Sequence, residues 1–577
     1  MQHTPLKAAL ALACVVAFTT SCGCDHVPNA SDTPAPGFLP DSMNVAVAEA
    51  PAARPAGQPC VVELFNEREF RDFSSSAFQY SPVCPGPWSK VLLQADFSVN
   101  AGRQFDRTGH ISLGGVNLYT GTTQEPSASN AASWRIERDV TDYAQLFAQT
   151  RQGAVDLDNL VNDTYTGVLH GSARLLFYPQ SANTPSPRSA DLVLPLTDRN
   201  DGRPQQIKQS SPEYSQLLQL PRNSVRAYLD VLAQGQSDDE FWYTCAPDEL
   251  SEQLQTCNGG ALRQVLVLID GKNAGLAPVM PWMFTGGVSP RLWRPIPGIQ
   301  TLNMLPYRVD LSPFVGQLND GQPHRLAVRI QNVRDYFNLS ATLLLYRDPQ
   351  QSVIPGRVLE NTLADSQPRI FNNLLLTDKQ PKGMLQMEHN TDYSIKGEIQ
   401  TARGREVLQV EQKMELNNLQ VFSDDLQEFT HRLSLETVSS VSTPYANSRL
   451  QRSISMPLYL NYADNGSKLN IRMSLGLISR NRLWWQNDQS WASNSEQEMN
   501  TQTMRETPSS TFSSTASQRA LYQDSRNLCY QRVLLAKDAK LQSAQDSGGC
   551  TLRSLPEKPW QVQPTEWGDL WLALVNQ

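Results

Sequence analysis

Residues 458–473, LYLNYADNGSKLNIRM, decide the fold class of the chain. The runs 458–462 and 469–473 both place apolar residues at every second position, which is typical of a β-strand with one buried face. Between them lies Asp464-Asn465-Gly466, whose Asn-Gly pair favours a tight hairpin turn. The stretch therefore predicts two antiparallel strands joined by a short turn.

Similar short strands recur along the chain, whereas long helical periodicity is scarce. Strands are predicted at 111–113, 264–269, 325–330 and 341–346. Helical turns are predicted only at 141–150 and 212–218. This pattern is typical of an all-β protein, here two consecutive jelly-roll-like β-sandwich domains followed by a further β-rich C-terminal region.

Changes in composition place the domain boundaries. A first sandwich is predicted at 58–197 and a second at 212–348, with a polar linker between them. The β-rich C-terminal region is predicted at 374–577. Within it, residues 486–518 are rich in Ser, Thr, Gln and Asn, and they are interpreted as a long loop or insert.

The charge balance limits the possible partners. The 577 residues include 49 Lys or Arg and 57 Asp or Glu, which gives a formal net charge of -8. An acidic chain without a local basic run has no general attraction for nucleic acid, so no nucleic-acid partner is predicted. Uncharged polar residues replace many charged ones, which favours a protein that works outside the cytosol.

The N-terminus has the pattern of an export signal. Lys7 precedes an apolar stretch that is too short to span a bilayer, which needs about 20 residues. Residues 1–21 are therefore predicted to be a signal peptide, Cys22 a lipid-anchored residue in a lipobox-like context, and 22–57 a flexible tether. We expect a periplasmic or outer-membrane lipoprotein whose only membrane contact is this anchor. Thr19 stands where a lipobox usually has Leu, so plain secretion is the alternative.

The cysteines agree with export. Six of the nine lie beyond the N-terminal segment and fall into neighbouring pairs. Six cysteines allow 15 connectivities, and nearest-neighbour pairing among them predicts the disulfides Cys60–Cys84, Cys245–Cys257 and Cys529–Cys550. An oxidising compartment would form all three. A zinc site is the alternative, and the absence of a CxxC motif disfavours it.

Motifs of several common chemistries are missing from the sequence. The seven histidines lack metal-ligand spacing, and neither a GxSxG elbow nor a glycine-rich phosphate loop occurs. No metal or cofactor is therefore predicted. Carboxylate chemistry or binding alone remains.

Two acidic clusters are candidates for carboxylate chemistry. Asp106 lies between an aromatic residue and Arg107, just before a predicted strand, and the Arg is expected to keep the carboxylate ionised at low pH. Asp239 and Glu240 precede three aromatic residues, among them Trp242, whose flat faces suit sugar rings. The alternatives are a surface ion pair in the first case and a charged edge beside core aromatics in the second.

A third candidate is a loop that follows Gly286-Gly287. It carries Arg291 and Trp293, and exposed Arg and Trp side chains bind carbohydrate or carboxylate well. A turn with a packed Trp is the alternative.

Together these clusters and several other short motifs resemble the peptide:N-glycanase A family of plants, fungi and bacteria, and the chain is interpreted as a bacterial member. The motifs that carry the resemblance are Cys84-Pro85-Gly86-Pro87-Trp88-Ser89, Gly102-Arg103-Gln104-Phe105-Asp106-Arg107, Leu113-Gly114-Gly115-Val116, Leu220-Pro221-Arg222-Asn223, Asp239-Glu240-Phe241-Trp242-Tyr243, Thr285-Gly286-Gly287 and Leu292-Trp293-Arg294-Pro295. The resemblance is strong over about residues 58–350 and weak beyond them.

The resemblance implies hydrolysis of the amide between an asparagine side chain and the first N-acetylglucosamine of an N-glycan, without a cofactor. The distantly related peptide:N-glycanase F of flavobacteria has two jelly rolls with the site between them and a catalytic Asp in an aromatic-Asp-Arg motif, which Asp106 resembles. Its catalytic Glu would fall within 257–260, where this chain has no Glu. Glu240, with Asp239 behind it, is therefore the candidate second carboxylate.

The resulting predictions assign a role to each candidate residue. Asp106 is the general base, Glu240 is the acid or a glycan ligand, and the substrate contacts are Arg107, Trp242, Arg291 and Trp293. The expected partners are N-glycosylated peptides or proteins. The alternatives are a glycoside hydrolase that uses the same carboxylates and a non-catalytic glycan-binding lipoprotein.

Overall fold

The first nine strands form two facing sheets. The computed structural model describes residues 43–546 apart from 51, 53, 182–185, 200, 202, 377–380, 424–425, 507–510 and 526–528. The strands are β1 (Met43–Asn44), β2 (Cys60–Phe70), β3 (Ser76–Tyr80), β4 (Trp88–Val99), β5 (Thr108–Leu113), β6 (Val116–Thr122), β7 (Ala132–Asp139), β8 (Arg151–Leu157) and β9 (Leu169–Pro179). One sheet has the order β1-β7-β4-β9-β2 and the other β3-β8-β5-β6.

Aromatic side chains fill the space between these two sheets. Phe97 of β4 stacks on Tyr119 of β6 with ring centroids 5.5 Å apart, and Phe65 of β2 contacts Phe78 of β3 at 5.7 Å. Each pair joins one sheet to the other, so the core lies between them as in a β-sandwich. The disulfide between Cys60 and Cys84 forms within this sandwich as predicted.

The next nine strands form a second sandwich. They are β10 (Leu192–Pro195), β11 (Gln205–Lys208), β12 (Glu213–Gln219), β13 (Ser224–Gln236), β14 (Gln264–Ile269), β15 (Lys272–Pro278), β16 (Tyr307–Asp310), β17 (Pro323–Ile330) and β18 (Tyr336–Arg347). One sheet has the order β10-β18-β13-β16, with β11 also on β18, and the other β12-β17-β14-β15. Leu326 of one sheet and Leu343 of the other line the same small apolar void. The disulfide Cys245–Cys257 also forms as predicted.

The remaining strands make one antiparallel sheet. They are β19 (Gly356–Asn361), β20 (Arg369–Leu375), β21 (Lys382–Thr401), β22 (Gly404–Ser423), β23 (Leu426–Ser442), β24 (Asn447–Asp464), β25 (Lys468–Trp485), β26 (Asp488–Glu506), β27 (Phe512–Asp524), β28 (Cys529–Lys537) and β29 (Lys540–Asp546). From β21 to β29 each strand pairs with the next one along the chain, and β19 and β20 both pair with β21. We call these strands the C-terminal sheet. Together with the two sandwiches, it confirms the predicted all-β architecture.

The hairpin predicted at 458–473 is present in this sheet. Asp464 of β24 faces Leu469 of β25 in the ladder. The Asn465 side-chain oxygen accepts the backbone N–H groups of Ser467 and Lys468 at 3.1 and 2.8 Å. Gly466 has a φ of 80°, which glycine adopts at little cost. The turn chemistry therefore fixes the strand register, as expected for an Asn-Gly turn.

Two local predictions are wrong. Residues 486–518 are not a loop, because β26 and most of β27 lie there. Their buried positions include Thr503, whose hydroxyl donates to a backbone carbonyl of β27 at 3.2 Å, so a polar side chain occupies an inner face without loss of its hydrogen bond. The segment 212–218, predicted as a helical turn, is occupied by β12, which pairs with β17 along its whole length.

Helices are few and short. The 3₁₀ helices are Thr141–Ala148, Ser237–Asp239, Trp242–Thr244, Pro290–Trp293 and Ser312–Phe314, and the α-helices are α1 (Asp248–Leu254) and α2 (Val315–Leu318). The first of them replaces the ordinary helix predicted at 141–150. Among the described residues, no helix is both long and apolar enough to cross a membrane.

The predicted domain ranges stay predictions. The three groups of strands span 43–179, 192–347 and 356–546. β10 precedes the boundary predicted at 197, yet it pairs with β18 of the second sandwich.

A buried ionic network joins the two sandwiches. Arg308 of β16 donates to Asp230 of β13 at 2.7 and 2.8 Å and to Asp142 at 2.6 Å. Asp142 belongs to the 3₁₀ helix of the first sandwich, and its neighbour Tyr143 donates its hydroxyl to Asp230 at 2.8 Å. All four side chains are buried. The network therefore satisfies charges of both sandwiches at once, and it stabilises their relative position.

A second contact runs along β6. The backbone N–H of Thr122 donates to the Thr301 carbonyl at 2.8 Å, and that of Met304 donates to the Thr120 carbonyl at 2.9 Å. The Tyr119 hydroxyl adds a bond of 2.8 Å to the Leu302 carbonyl. The segment 301–304 of the second sandwich therefore extends along a strand of the first.

We expect Arg308→Met to destabilise the protein strongly. Two buried carboxylates would lose their cation, and the loss of one partner from a buried ion pair costs about 3–5 kcal/mol. The free energy of unfolding from urea denaturation measures the effect. Arg325→Met is the matched control, because Arg325 pairs with Glu213 while remaining 44% exposed, and such a pair contributes about 0–1 kcal/mol. Equal losses in the two variants would contradict a stabilising role for the network.

Candidate active site

Acidic and basic side chains from both sandwiches meet in one cleft. Asp106 lies just before β5, and Glu125 follows β6, so both come from the first sandwich. Glu240 follows β13, and Gly286 and Arg294 lie in the long connection between β15 and β16 of the second. The contact along β6 brings that connection against the first sandwich.

Asp106 is held mainly by backbone groups. Its carboxylate accepts hydrogen bonds from the N–H of Gly286 and from its own N–H. Burial nevertheless raises the pKa of Asp106 above its usual value, against the opposing effects of these two donors and of the charge on Arg107. The expectation that Arg107 keeps this carboxylate ionised at low pH is therefore wrong in direction, because desolvation outweighs the cation.

Arg107 faces away from the Asp106 carboxylate. Its guanidinium donates to the Gln104 side chain at 2.8 Å and lies 5.9 Å from the centre of the Phe73 ring. Its predicted contact with the substrate stays a prediction, and the geometry favours support of the loop that carries Asp106.

Glu125 is a member of the cleft that sequence reasoning missed. One of its carboxyl oxygens accepts the backbone N–H of Asp106 at 3.3 Å, and the other lies 3.3 Å from the Arg294 guanidinium. Burial and the charge of Asp106 raise the pKa of Glu125 to about 7, and Arg294 opposes the shift. A second hydrogen bond joins the two carboxyl groups; because it lowers the pKa of Asp106 and raises that of Glu125, Glu125 is the donor in it. The only local signal was a carboxylate beside buried strand residues, since Arg294 is far away in the sequence.

The pKa of Glu240 is raised further than that of Glu125. Burial, followed by the charge of Asp106, raises the pKa of Glu240 to about 8. Asp106 and Glu240 therefore interact electrostatically although they belong to different sandwiches. Near neutral pH, Glu240 keeps its proton, whereas the two N–H donors and Arg107 favour the charged form of Asp106.

Asp239, the neighbour of Glu240, faces the opposite way. Its carboxylate is fully buried, pairs with Arg263 at 2.9 Å, and accepts the backbone N–H groups of Arg334 and Asp335 at 2.8 and 2.9 Å. Both oxygens are therefore occupied by the fold. This geometry does not support the predicted catalytic role of Asp239, which instead anchors the start of the Glu240 loop.

The two predicted tryptophan contacts are core residues. Trp242 is 2% exposed and packs edge-on against His431 of the C-terminal sheet with ring centroids 5.1 Å apart. Trp293 is fully buried, and its indole N–H donates to the Gly287 carbonyl at 2.8 Å. Neither ring is available to stack on a sugar, so the structure corrects both predictions: these aromatics fill the interior behind the loops.

Exposed aromatic surface lies instead beside Asp106. Phe105 is 46% exposed and contacts Tyr165 with ring centroids 5.3 Å apart. The Arg103 guanidinium lies 5.5 Å from the centre of the Tyr165 ring. This group offers an apolar face next to the carboxylate. Arg291, the remaining predicted contact, is exposed on the 3₁₀ turn just before Arg294.

The C-terminal sheet holds the loop behind Glu240. Asn418 of β22 donates to the Tyr243 carbonyl at 2.7 Å, and Gln420 donates to the Cys245 carbonyl at 3.1 Å. Both amide side chains are fully buried. The Cys245–Cys257 disulfide closes the same loop. Glu240 is thus positioned from outside its own sandwich.

The arrangement combines an ionisable base with protonated donors. Burial raises the pKa of all three carboxyl groups: Glu240, at about 8, holds its proton near neutral pH, Glu125, at about 7, is partly protonated there, and N–H donors and Arg107 oppose the rise at Asp106. General acid–base catalysis requires one carboxyl group that can take up a proton and another that holds one.

The region of the chain that carries this site is similar to known proteins. The family model for peptide N-acetyl-β-D-glucosaminyl asparaginase amidase A matches residues 53–355, just over half of the 577 residues. The chain is 30% identical over 335 residues to the peptide-N4-(N-acetyl-β-glucosaminyl)asparagine amidase A of Prunus dulcis, and the match covers 54% of this chain and 58% of the almond protein.

Solved structures show weaker similarity. A peptide-N(4)-(N-acetyl-β-D-glucosaminyl)asparagine amidase is 12% identical with a TM-score of 0.35, and the match covers 51% of this chain and 98% of that chain. A protein described as PNGF-II is 13% identical with a TM-score of 0.33, and the match covers 50% of this chain and 66% of that chain.

Gly286 has no room for a side chain. A Cβ at this position would overlap the Asp106 carboxylate and lie 2.6 Å from a Glu125 oxygen. We therefore expect Gly286→Ala to lower turnover at least about 100-fold, the smaller value of a general acid–base contribution, by displacing both groups. Turnover of a glycopeptide together with a melting curve measures this. A folded variant with normal turnover would show that the observed contact of the two carboxyls is not needed.

Proposed function

The chain belongs to the peptide N-acetyl-β-D-glucosaminyl asparaginase amidase A family, and we propose that it hydrolyses the amide bond between an asparagine side chain and the first N-acetylglucosamine of an N-linked glycan. The almond relative carries the name of this activity. Because the chain spans 58% of that relative's length, the activity and the glycopeptide substrate are proposals for this chain.

One observation carries the proposal. Asp106 and Glu240 reach the same cleft from different sandwiches; burial raises the pKa of Glu240 to about 8, whereas at Asp106 backbone N–H donors and the charge of Arg107 oppose the rise that burial causes. An amide carbonyl is a poor electrophile, so its hydrolysis needs a base to activate water and an acid to protonate the departing nitrogen.

The proposed reaction uses these groups in turn. Asp106 takes a proton from a water molecule as the water oxygen attacks the amide carbon. Glu240 gives its proton to the nitrogen as the carbon–nitrogen bond breaks. The products are a peptide that carries Asp in place of Asn and a 1-amino sugar. Glu125 and Arg294 hold the Asp106 carboxylate in place through the contacts described above.

For the cellular location, we propose an exported protein with lipid on Cys22. The two disulfides of the described residues support an oxidising compartment. Cys22, the signal peptide and residues 22–42 of the tether lie outside the described residues, as does Cys550 of the third predicted disulfide. Labelling with a fatty acid, compared between the native chain and Cys22→Ser, tests the anchor, and an unlabelled native chain would indicate plain secretion.

The product distinguishes an amidase from a glycosidase. We expect a purified glycopeptide to lose its whole glycan and to gain about one mass unit at the former Asn, whereas a glycosidase leaves sugar on the peptide. Asp106→Asn should lower this rate at least about 100-fold, because it removes the base. Asp163→Asn, at an exposed aspartate of the same sandwich, is the control. Sugar left on Asn would support the glycosidase, and binding without turnover would support a glycan-binding protein.

The pH dependence separates the roles of the carboxyls. Activity should fall at low pH as Asp106 gains a proton, and it should fall again above about pH 7–8 as Glu125 and Glu240 lose theirs. In Glu240→Gln the rate should drop and the ionisation near pH 8 should disappear from the profile. Glu249→Gln, at an exposed position of α1, should retain it. An unchanged alkaline limb in Glu240→Gln would exclude Glu240 as the acid.

A further inference from the structure

Two arginines from different parts of the fold share one phenylalanine at the edge of the cleft. The Arg291 guanidinium lies 4.3 Å from the centre of the Phe512 ring, and that of Arg505 lies 5.5 Å from it. Arg291 belongs to the 3₁₀ helix Pro290–Trp293, whereas Arg505 and Phe512 are cross-strand neighbours on β26 and β27. We call these three residues the arginine rim.

Among the described residues, the cations of the arginine rim have no acidic partner. Within the part of the chain that the structure describes, no Asp or Glu oxygen forms an ion pair with Arg291 or Arg505. The nearest acid along the chain, Glu506, pairs with Lys468 at 2.7 Å. Two neighbouring cations without an acid beside them form a local positive patch on a chain of net charge -8, and such a patch attracts anionic ligands.

The arginine rim is rigidly connected to the candidate active site. Thr501 of β26 donates its buried hydroxyl to the Leu292 carbonyl at 2.8 Å, which fixes the turn between Arg291 and Arg294. Arg294 in turn contacts Glu125. The positive charge of Arg291 is close enough to contribute to the lowered pKa of Arg294. A group bound at the rim would therefore lie close to the candidate active site.

We propose that the arginine rim binds a carboxylate of the substrate. A guanidinium over an aromatic ring keeps the planar fork of N–H donors that matches a carboxylate. The proposal deepens the proposed amidase function and depends on it for the nature of the ligand. The carboxylate can belong to an acidic sugar of the glycan or to an acidic side chain of the peptide.

Three synthetic glycopeptides of otherwise identical sequence test the proposal and distinguish the two sources. One has a neutral glycan and a neutral peptide, one has an acidic sugar on the glycan, and one has an Asp two residues from the glycosylated Asn. We expect the native enzyme to show a higher kcat/KM for one of the acidic substrates than for the neutral one. In Arg505→Gln this preference should fall about tenfold, the effect of one charge-assisted hydrogen bond.

Arg519→Gln is the matched control, because Arg519 is an exposed arginine on β27, the strand that carries Phe512. It should keep the preference of the native enzyme, and salt should weaken that preference in the native enzyme. Arg291→Gln repeats the test from the second sandwich if Arg505→Gln does not fold. An equal preference in the native enzyme and both rim variants, or none in the native enzyme, would overturn the proposal.

A direct binding measurement separates this proposal from the amidase proposal. If no glycopeptide is cleaved, titration calorimetry with the three intact glycopeptides still reports on the rim. Tighter binding of an acidic glycopeptide that is lost in Arg505→Gln supports the carboxylate site even where the amidase proposal fails. Equal binding of all three by the native protein overturns the site whether or not cleavage occurs.

Discussion

The candidate active site depends on the fixed relation between the two sandwiches. Asp106 and Glu125 come from the first and Glu240 and Arg294 from the second, so the proposed base, Asp106, and the proposed acid, Glu240, meet only when both sandwiches are in place. The buried contacts of Arg308 with Asp142 and of Tyr143 with Asp230 oppose any separation, because separation would leave buried polar groups without their partners. The hydrogen bonds along β6 add a directional constraint. The geometry of the candidate active site therefore depends directly on how the two sandwiches pack.

The protonation state of each buried carboxyl group depends on the contacts that compensate for its loss of water. Asp239 and Glu240 are consecutive, yet Asp239 receives a guanidinium and two backbone donors. For Glu240 no favourable contact offsets burial, which raises its pKa. Asp106 lies between these cases, since two N–H donors oppose desolvation without cancelling it. Adjacent residues with different hydrogen-bond partners thus serve as a structural anion, Asp239, and a proton donor, Glu240.

The sequence was informative wherever a property depends on neighbours along the chain. The Asn-Gly turn fixed the hairpin of β24 and β25, and nearest-neighbour pairing gave both disulfides of the described residues. The motif around Asp106 identified a carboxylate in the cleft. Properties that depend on distant residues could not be derived in this way. Trp242 and Trp293 have the composition of sugar platforms, but the C-terminal sheet and the Gly287 carbonyl enclose them. Glu125 lacks a local pattern because its partners are Asp106 and Arg294. The strands at 486–518 resembled a loop because even their buried face carries polar side chains, among them a threonine whose hydroxyl donates to a backbone carbonyl of β27.

The contacts of Asn418 and Gln420 impose an order on assembly. The Glu240 loop is covalently complete at Cys257, about 160 residues before the amides that bind its carbonyls are synthesised. β21 to β29 pair with sequence neighbours, and such local contacts form quickly. The residues of the two sandwiches are therefore synthesised first, while the Glu240 loop still lacks the amides of Asn418 and Gln420. The C-terminal sheet follows, and its hairpins pack against that loop one after another. A nascent chain acquires its mature cleft only after its late strands have emerged, so a truncated product would carry the family motifs without a finished site.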